Sequence, residues 1–126
     1  DRQTLDVYTR PDVPSKGTVV FVHGGYWDEG SKNDYPFLAD SFTEQGFTTV
    51  VVNYRLVPTV TFPTYVEDVA LAVKWTVENI TQYGGNADNI FLMGHSAGAH
   101  IAALVAYDER YLQNIGLSNR ALRGFI

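Results

Sequence analysis

Three short runs of the chain are almost continuously apolar and rich in β-branched residues. They are "TVVFVH" (residues 18–23), "FTTVVVN" (47–53) and "NIFLMG" (89–94). Strands that are buried on both faces have this composition, because neither face meets water. Shorter strand signals occur at residues 5–8 and in the final "ALRGFI". We therefore expect a sheet whose central strands are covered by helices on both sides.

Segments with helical signals separate these runs. "YPFLADSFTEQG" (35–46) has a proline near its start and a glycine at its end, which is the usual punctuation of a helix. Residues 65–83 carry apolar side chains at helical spacing, and helical character resumes after Ser96. Alternation of strands and helices indicates parallel strands joined by right-handed crossovers. The sequence thus predicts an α/β fold whose ligands bind at the carboxyl ends of the strands.

Length and charge limit the class of protein. The 126 residues predict a single domain, residues 1–126. The net charge of −5 and the lack of a Lys/Arg cluster argue against nucleic acid and anionic membranes as partners. There is no cysteine, which excludes disulfides, thiol catalysis and cysteine-based metal sites. No apolar run approaches membrane-spanning length and no signal-peptide pattern is visible, so we expect a soluble protein, cytoplasmic or secreted after removal of a leader.

The segment "GHSAG" (94–98) has the form Gly-x-Ser-x-Gly and stands between a predicted strand and a predicted helix. This context is that of a nucleophile elbow, a sharp turn that exposes the serine hydroxyl. The amides at the start of the helix favour a negative charge beside the serine. We predict that Ser96 is a nucleophile on a strained strand-to-helix turn and that the amide of Ala97 is an oxyanion donor. A chance match in a loop is the alternative.

The segment "HGGYW" (23–27) follows the first buried run, where an oxyanion loop would lie. Two glycines allow the backbone amides of Gly25 and Tyr26 to face a pocket, and an oxyanion hole needs such donors about 3 Å from the developing charge. A plain glycine turn is the alternative. Both glycine motifs end strands of one parallel sheet, so we expect them to share one rim of that sheet.

The three histidines are weak candidates for a general base. We expect the ring of His23 to hold the glycine-rich loop through hydrogen bonds to backbone. His95 precedes the serine on a sharp turn, so the two side chains point apart. His100, which is the only one able to approach Ser96, lies about one helical turn beyond it and is expected along the helix flank beneath the pocket. The spacing of His95 and His100 does not suit a metal pair, and we expect neither a metal nor a cofactor.

Aromatic side chains stand at the predicted strand ends. We predict that Trp27, Tyr26 and Tyr54 line a pocket for an acyl or alcohol group, and ordinary half-buried packing is an equal alternative. In the long helix we expect Trp75 to belong to the core and Asp68 to be a structural partner of Arg55.

The motifs "VHGGYW-x-x-GSK", "YRL", "FP-x-x-x-x-D" and "YGGNADNIFLMGHSAGAH" together resemble the N-terminal half of α/β-hydrolase-fold carboxylesterases. The most similar subgroups are the small esterases related to hormone-sensitive lipase, the feruloyl and acetyl-xylan esterases, and the kynurenine formamidases. "HGGYW" with "GSK" is similar to the formamidases, whereas "YRL" followed by "FP" is more similar to the carboxylesterases. The likeness runs from about Leu5 to the end of the chain.

The resemblance implies an α/β-hydrolase-type, mostly parallel sheet with helices on both faces, and a serine hydrolase of small-molecule carboxylic esters that needs no cofactor. Ser96 then matches the nucleophile, and Gly25, Tyr26 and Ala97 match the oxyanion hole. The acid and histidine of the family lie after further strands, and Asp108 follows the elbow too closely to be the acid. We therefore expect a partial domain, truncated after the elbow helix and the start of the next strand. Such a chain should be nearly inactive alone, because loss of the triad costs on the order of 10⁶ in turnover.

Two alternatives to an ester hydrolase stay open. The likeness to the formamidases allows an amide hydrolase of the arylformamidase type, and a chain without the rest of the triad is also compatible with an inactive fragment or a binding module. A sheet that stops at a short last strand leaves unpaired N–H and C=O groups along one edge. Two copies can pair there across a two-fold axis, so we also expect a homodimer or a larger assembly, or else aggregation.

Overall fold

One five-stranded sheet forms the centre of the computed structural model, which describes all 126 residues. Its strands are β1 (Leu5–Tyr8), β2 (Thr18–Val22), β3 (Thr48–Val52), β4 (Ile90–Gly94) and β5 (Gly124–Phe125). They lie in the order β1-β3-β2-β4-β5. Strands β2 to β5 are parallel to one another, and β1 runs antiparallel to β3 at one edge. The predicted, mostly parallel sheet is confirmed. The antiparallel direction of β1 was not part of the prediction.

The central strand of the sheet is β2. Its Val20 lies opposite Val50 of β3 on one side and Leu92 of β4 on the other. All five residues of β2 and all five of β3 are buried, as their continuous apolar composition predicts. Because β2, β3 and β4 are parallel, the segments that follow them all leave the sheet at the same rim.

Four α-helices connect or follow the strands: α1 (Pro36–Glu44), α2 (Thr64–Asn79), α3 (Ala97–Tyr107) and α4 (Arg110–Gln113). A proline suits the first position of α1, because an N–H there would have no partner within the helix. The sequence did not predict the short α4. The last strand is predicted to start near Ala121, but that residue closes a 3-10 turn (Asn119–Ala121) and the strand starts at Gly124. None of the helices has the length and apolar character that crossing a membrane requires.

Helices pack on both faces of the sheet, as predicted. On one face, α2 and α3 cover a cluster of 18 buried residues that includes Val20. On the opposite face, Phe21 packs against Ala39 of α1. Neighbouring residues of a strand point to opposite faces, which is why Val20 and Phe21 belong to different clusters. Trp75, predicted to be core, is half-buried and packs at the border of the larger cluster.

Candidate active site

Ser96 lies on the turn that joins β4 to α3. The strand ends at Gly94, the helix begins at Ala97, and Ser96 between them has φ of 56° and ψ of −118°. A positive φ at a residue other than glycine costs about 1–3 kcal/mol and persists only where the surrounding structure holds the backbone in place. The residue is exposed to solvent. The prediction that Ser96 occupies a strained strand-to-helix turn is confirmed.

Close packing of α3 against the sheet fixes this turn. A Cβ atom on Gly98 would overlap the carbonyl oxygens of Val22 and His23, and one on Gly94 would overlap the backbone of Gly98. Only glycine fits at either position without separating the helix from the strands. The amide of Ala97 stands at the first position of α3, where an N–H has no intrahelical acceptor and adds to the positive end of the helix dipole. The packing therefore places the exposed Ser96 next to the N-terminus of α3.

The glycine-rich loop after β2 comes directly against the Ser96 turn. A Cβ atom on Gly24 would lie 2.8 Å from the carbonyl oxygen of His95 and 3.2 Å from Cβ of Ser96. Two motifs far apart in the chain thus meet because they end neighbouring parallel strands. The expectation that they share one rim is confirmed.

The backbone of this loop has positive φ at three consecutive residues. Gly25, Tyr26 and Trp27 have φ of 127°, 54° and 63°. The carbonyl oxygen of Gly25 accepts hydrogen bonds from the amides of Asp28 (3.0 Å) and Glu29 (2.9 Å), which closes the loop on itself. No hydrogen bond within the chain uses the amides of Gly25 and Tyr26. These two donors are therefore free to meet an acceptor from outside.

His23 is fully buried beneath the loop. Its Nδ1 lies 2.7 Å from the carbonyl oxygen of Gly24, and because a carbonyl oxygen only accepts, Nδ1 carries the proton. Burial lowers the pKa of His23, which favours the neutral ring. The expectation that this ring holds the glycine-rich loop is confirmed.

The side chain of Tyr54 is buried and does not face the open rim. It is 0% exposed, its ring stacks on that of His23 with centroids 4.4 Å apart, and its hydroxyl donates to the carbonyl oxygen of His23 at 2.8 Å. Burial raises the pKa of this hydroxyl. The placement contradicts the predicted pocket-lining role of Tyr54, because the chain after β3 turns the side chain inwards. Tyr54 supports the strand end from which the loop begins.

The remaining aromatic and histidine candidates lie on the open side of the rim. Tyr26 is 75% exposed. Trp27 is half-buried, meets the ring of His100 edge-on with centroids 5.5 Å apart, and leaves its Nε1 buried without a partner. His95 and His100 are exposed. A substrate contact by Trp27 stays a prediction. No group of His, Asp and Glu side chains is placed to hold a metal ion.

The predicted pair of Arg55 and Asp68 joins the segment after β3 to α2. Asp68 is 5% exposed and accepts three hydrogen bonds from Arg55, two of 3.0 Å from the amide and Nε and one of 2.8 Å from Nη2. These bonds raise the pKa of the Arg55 guanidinium. Gln3 adds a fourth bond to Asp68 at 3.0 Å. The structural role predicted for this pair is confirmed.

Sequence reasoning missed Arg2. Its Nε donates to the carbonyl oxygen of Tyr54 at 2.9 Å, and its Nη2 donates to that of Gly30 at 2.8 Å. The same Nη2 lies 3.3 Å from Nε2 of His23. A lone arginine ahead of a short strand forms no motif, so only the positions of its partners reveal it.

Comparisons with known proteins agree with this geometry. The chain matches the family model described as BD-FAE over residues 5–120. It is similar to Esterase LipQ of Mycobacterium tuberculosis, with 40% identity over 107 residues that cover 81% of this chain and 25% of that protein. It is also similar to the kynurenine formamidase of Danio rerio, with 36% identity over 107 residues that cover 82% of this chain and 34% of that protein.

Solved esterase structures share the fold. In the crystal structure of Esterase B from Lactobacillus rhamnosis HN001, 98% of this chain aligns with 41% of that chain, at a TM-score of 0.83 and 28% identity. The α/β-hydrolase fold expected from the sequence is confirmed. The chain spans about a quarter of the length of the curated esterase that it matches.

Proposed function

Because this chain belongs to the BD-FAE family, we propose that it supplies the nucleophile and the oxyanion hole of a serine hydrolase that cleaves carboxylic esters. Ser96 is the nucleophile in this proposal, and the amides of Gly25, Tyr26 and Ala97 are the oxyanion donors. The observation that carries it is the contact between Gly24 and Ser96, which puts the loop with two unused amides against the strained elbow.

In the proposed reaction, Oγ of Ser96 attacks the carbonyl carbon of the ester and loses its proton to a general base. The electron pair of the C=O bond moves to oxygen, and the amides of Gly25, Tyr26 and Ala97 donate to the resulting oxyanion. Collapse of this intermediate breaks the ester C–O bond, and the alcohol leaves with the proton from the base. Water then hydrolyses the acyl-serine by the same steps, releasing the acid and restoring the hydroxyl.

The proposal places the general base and its acid partner outside these 126 residues. Ser96 Oγ must be within hydrogen-bond reach of the base. His23 is committed to Gly24 and Arg2. The hydrogen bond between His100 and Ser96 joins their backbones, with the amide of His100 donating to the carbonyl oxygen of Ser96 at 3.1 Å. A histidine elsewhere in the polypeptide that carries this chain completes the site. Trp27, which borders the open rim, contributes to binding the acyl or alcohol group.

A phosphonate ester and a serine variant test this proposal in the full-length polypeptide. The phosphonate should attach covalently to the peptide that contains Ser96, as read by mass spectrometry, and Ser96→Ala should abolish both labelling and hydrolysis of p-nitrophenyl acetate. His100→Ala is the control, and it should reduce hydrolysis far less. Equal losses in the two variants would reassign the base to His100, and labelling elsewhere would overturn the role of Ser96.

A second candidate is an arylformamidase, which cleaves an amide with the same groups. The similarity to the Danio rerio kynurenine formamidase supports it, as does the shared likeness of "HGGYW" with "GSK". Rates of hydrolysis of p-nitrophenyl acetate and N-formylkynurenine by the same preparation separate the two. A clear preference for the formamide would favour this candidate, and no hydrolysis of either substrate would favour a binding module.

A further inference from the structure

Arg2 joins three segments that meet beneath the glycine-rich loop. It donates to the carbonyl oxygen of Tyr54 after β3 and to that of Gly30 at the end of the loop, and it touches Nε2 of His23 after β2. A guanidinium presents its donors in a rigid planar fork, so it constrains where its acceptors lie relative to one another. Arg2 is therefore placed to fix the loop geometrically.

The contact with His23 sets the orientation of that ring. Since Nδ1 donates to the carbonyl oxygen of Gly24, Nε2 carries the lone pair and accepts from Arg2. The rings of Tyr54 and Tyr35 stack near the imidazole, with centroids 4.4 and 6.5 Å away. A hydrogen-bonded line thus runs from Arg2 through the imidazole to the residue that precedes the first oxyanion donor.

Arg2 and His23 together hold both ends of the strained loop. The imidazole binds Gly24 at the start, and a Cβ atom on Gly30 at the end would lie 2.6 Å from Nδ1 of the ring. Between these ends, Tyr26 has positive φ, a conformation that costs about 1–3 kcal/mol and persists only when neighbouring structure determines it. The bonds of Arg2 belong to that determining structure.

We propose that Arg2 is a positioning residue for the oxyanion hole, which keeps His23 in the tautomer that holds Gly24 and ties Gly30 to the same imidazole. The inference rests on the proposed function. In this role Arg2 acts through the backbone of the loop and through His23. Donors that are already directed at the developing oxyanion stabilise the transition state more than bound substrate. Loss of Arg2 should therefore lower kcat and leave KM almost unchanged.

Kinetics of Arg2→Met and Arg2→Lys in the full-length polypeptide test this split. We expect Arg2→Met to lower kcat about 10-fold to 100-fold, since a misplaced donor loses most of its effect, with KM within about twofold. Lysine keeps the charge but lacks the fork, so it should recover only part of the loss. Gln3→Ala is the matched control, because it loosens the same N-terminal segment through its bond to Asp68. Equal kcat in Arg2→Met and Gln3→Ala, or a change in KM alone, would overturn the proposal.

Nuclear magnetic resonance on selectively ¹⁵N-labelled protein gives a readout that needs no catalysis. Wild-type His23 should show the Nδ1–H tautomer, and Arg2→Met should shift it and move the amide signals of Gly25 and Tyr26. Gln3→Ala should leave the His23 and amide signals unchanged. If Arg2→Met does not fold, Arg2→Lys is compared with wild type instead. If wild type cleaves no ester, the proposed function fails while these signals still decide the role of Arg2. Unchanged His23 and amide signals in both Arg2 variants would refute it.

Discussion

Replacement of Gly98 by alanine tests whether the contact between α3 and the sheet positions Ser96, the proposed nucleophile. The added Cβ would overlap carbonyl oxygens of Val22 and His23, which are backbone atoms at the end of the central strand and cannot rotate away. Extra volume in a packed site costs about 1–3 kcal/mol. Alanine is the better helix former by about 1 kcal/mol, so the net loss of stability should be small, about 0–2 kcal/mol.

The effect of Gly98→Ala on catalysis should be larger than its effect on stability. To relieve the overlap, the start of α3 must move away from β2, and Ser96 and the amide of Ala97 move with it. A displacement of about 1 Å at a reacting group costs about 100-fold in rate. We therefore expect kcat/KM for p-nitrophenyl acetate to fall about 100-fold in the full-length polypeptide.

A glycine placed in the same helix separates stability from geometry. Ala103→Gly removes about 1 kcal/mol of helix propensity from α3 without adding volume. Its melting temperature should fall by a similar amount, since about 1 kcal/mol lies within the range expected for Gly98→Ala, while its kcat/KM stays within about twofold of wild type. Thermal unfolding and initial rates on the same preparations give both quantities. Wild-type kcat/KM in Gly98→Ala would refute the reasoning, since the close contact would then have no role in placing Ser96.

Three further outcomes follow from the described contacts. Asp68→Asn weakens an almost buried acceptor of four hydrogen bonds and should lower the free energy of unfolding by about 1–3 kcal/mol. An unchanged midpoint of urea unfolding would contradict this loss of stability. Burial lowers the pKa of His23 below 6.5 in the folded state, against the opposing effect of its hydrogen bond to Gly24, while Arg2 lowers the pKa further and Asp34 raises it. The unfolded chain then binds the extra proton, so the contribution of His23 to stability should be constant above pH of about 6.5 and fall below it. An equal slope of stability against pH in His23→Gln would count against this assignment. The isolated 126-residue chain should sediment as a dimer or a larger species, because β5 pairs on one side only and Ile126 beside it is 58% exposed. A monomer at micromolar concentration would disprove the predicted self-association.

The sequence predicted the parts of the fold that local composition encodes. Continuous apolar runs identified β2, β3 and β4, because a strand covered on both faces has no polar side to alternate with. Glycine spacing identified the Ser96 turn, because the backbone contacts there exclude any side chain at Gly94 and Gly98. The direction of β1 was not predictable in this way. A four-residue strand has the same side-chain pattern whichever way it runs beside β3.

The sequence could not place side chains whose direction depends on distant backbone. Tyr54 was expected at the rim because it follows a strand end, and its backbone does lie there. Its ring points inwards because the stacking partner and the acceptor of its hydroxyl both belong to His23. Arg2 is a similar case, since its acceptors lie 52 and 28 positions away along the chain. Nothing in the residues next to Arg2 indicates either contact.

The position of β2 at the centre of the sheet has a consequence for synthesis of the protein. β2 leaves the ribosome before both of its partners, and the second partner, β4, ends only at Gly94. Until then the segment "TVVFV" has at least one unpaired edge, no charge and no proline, which is the composition of an aggregation-prone strand. Nascent chains that stop short of β4 should therefore need a chaperone to stay unaggregated, and the rim that carries Ser96 can form only after that vulnerable period has ended.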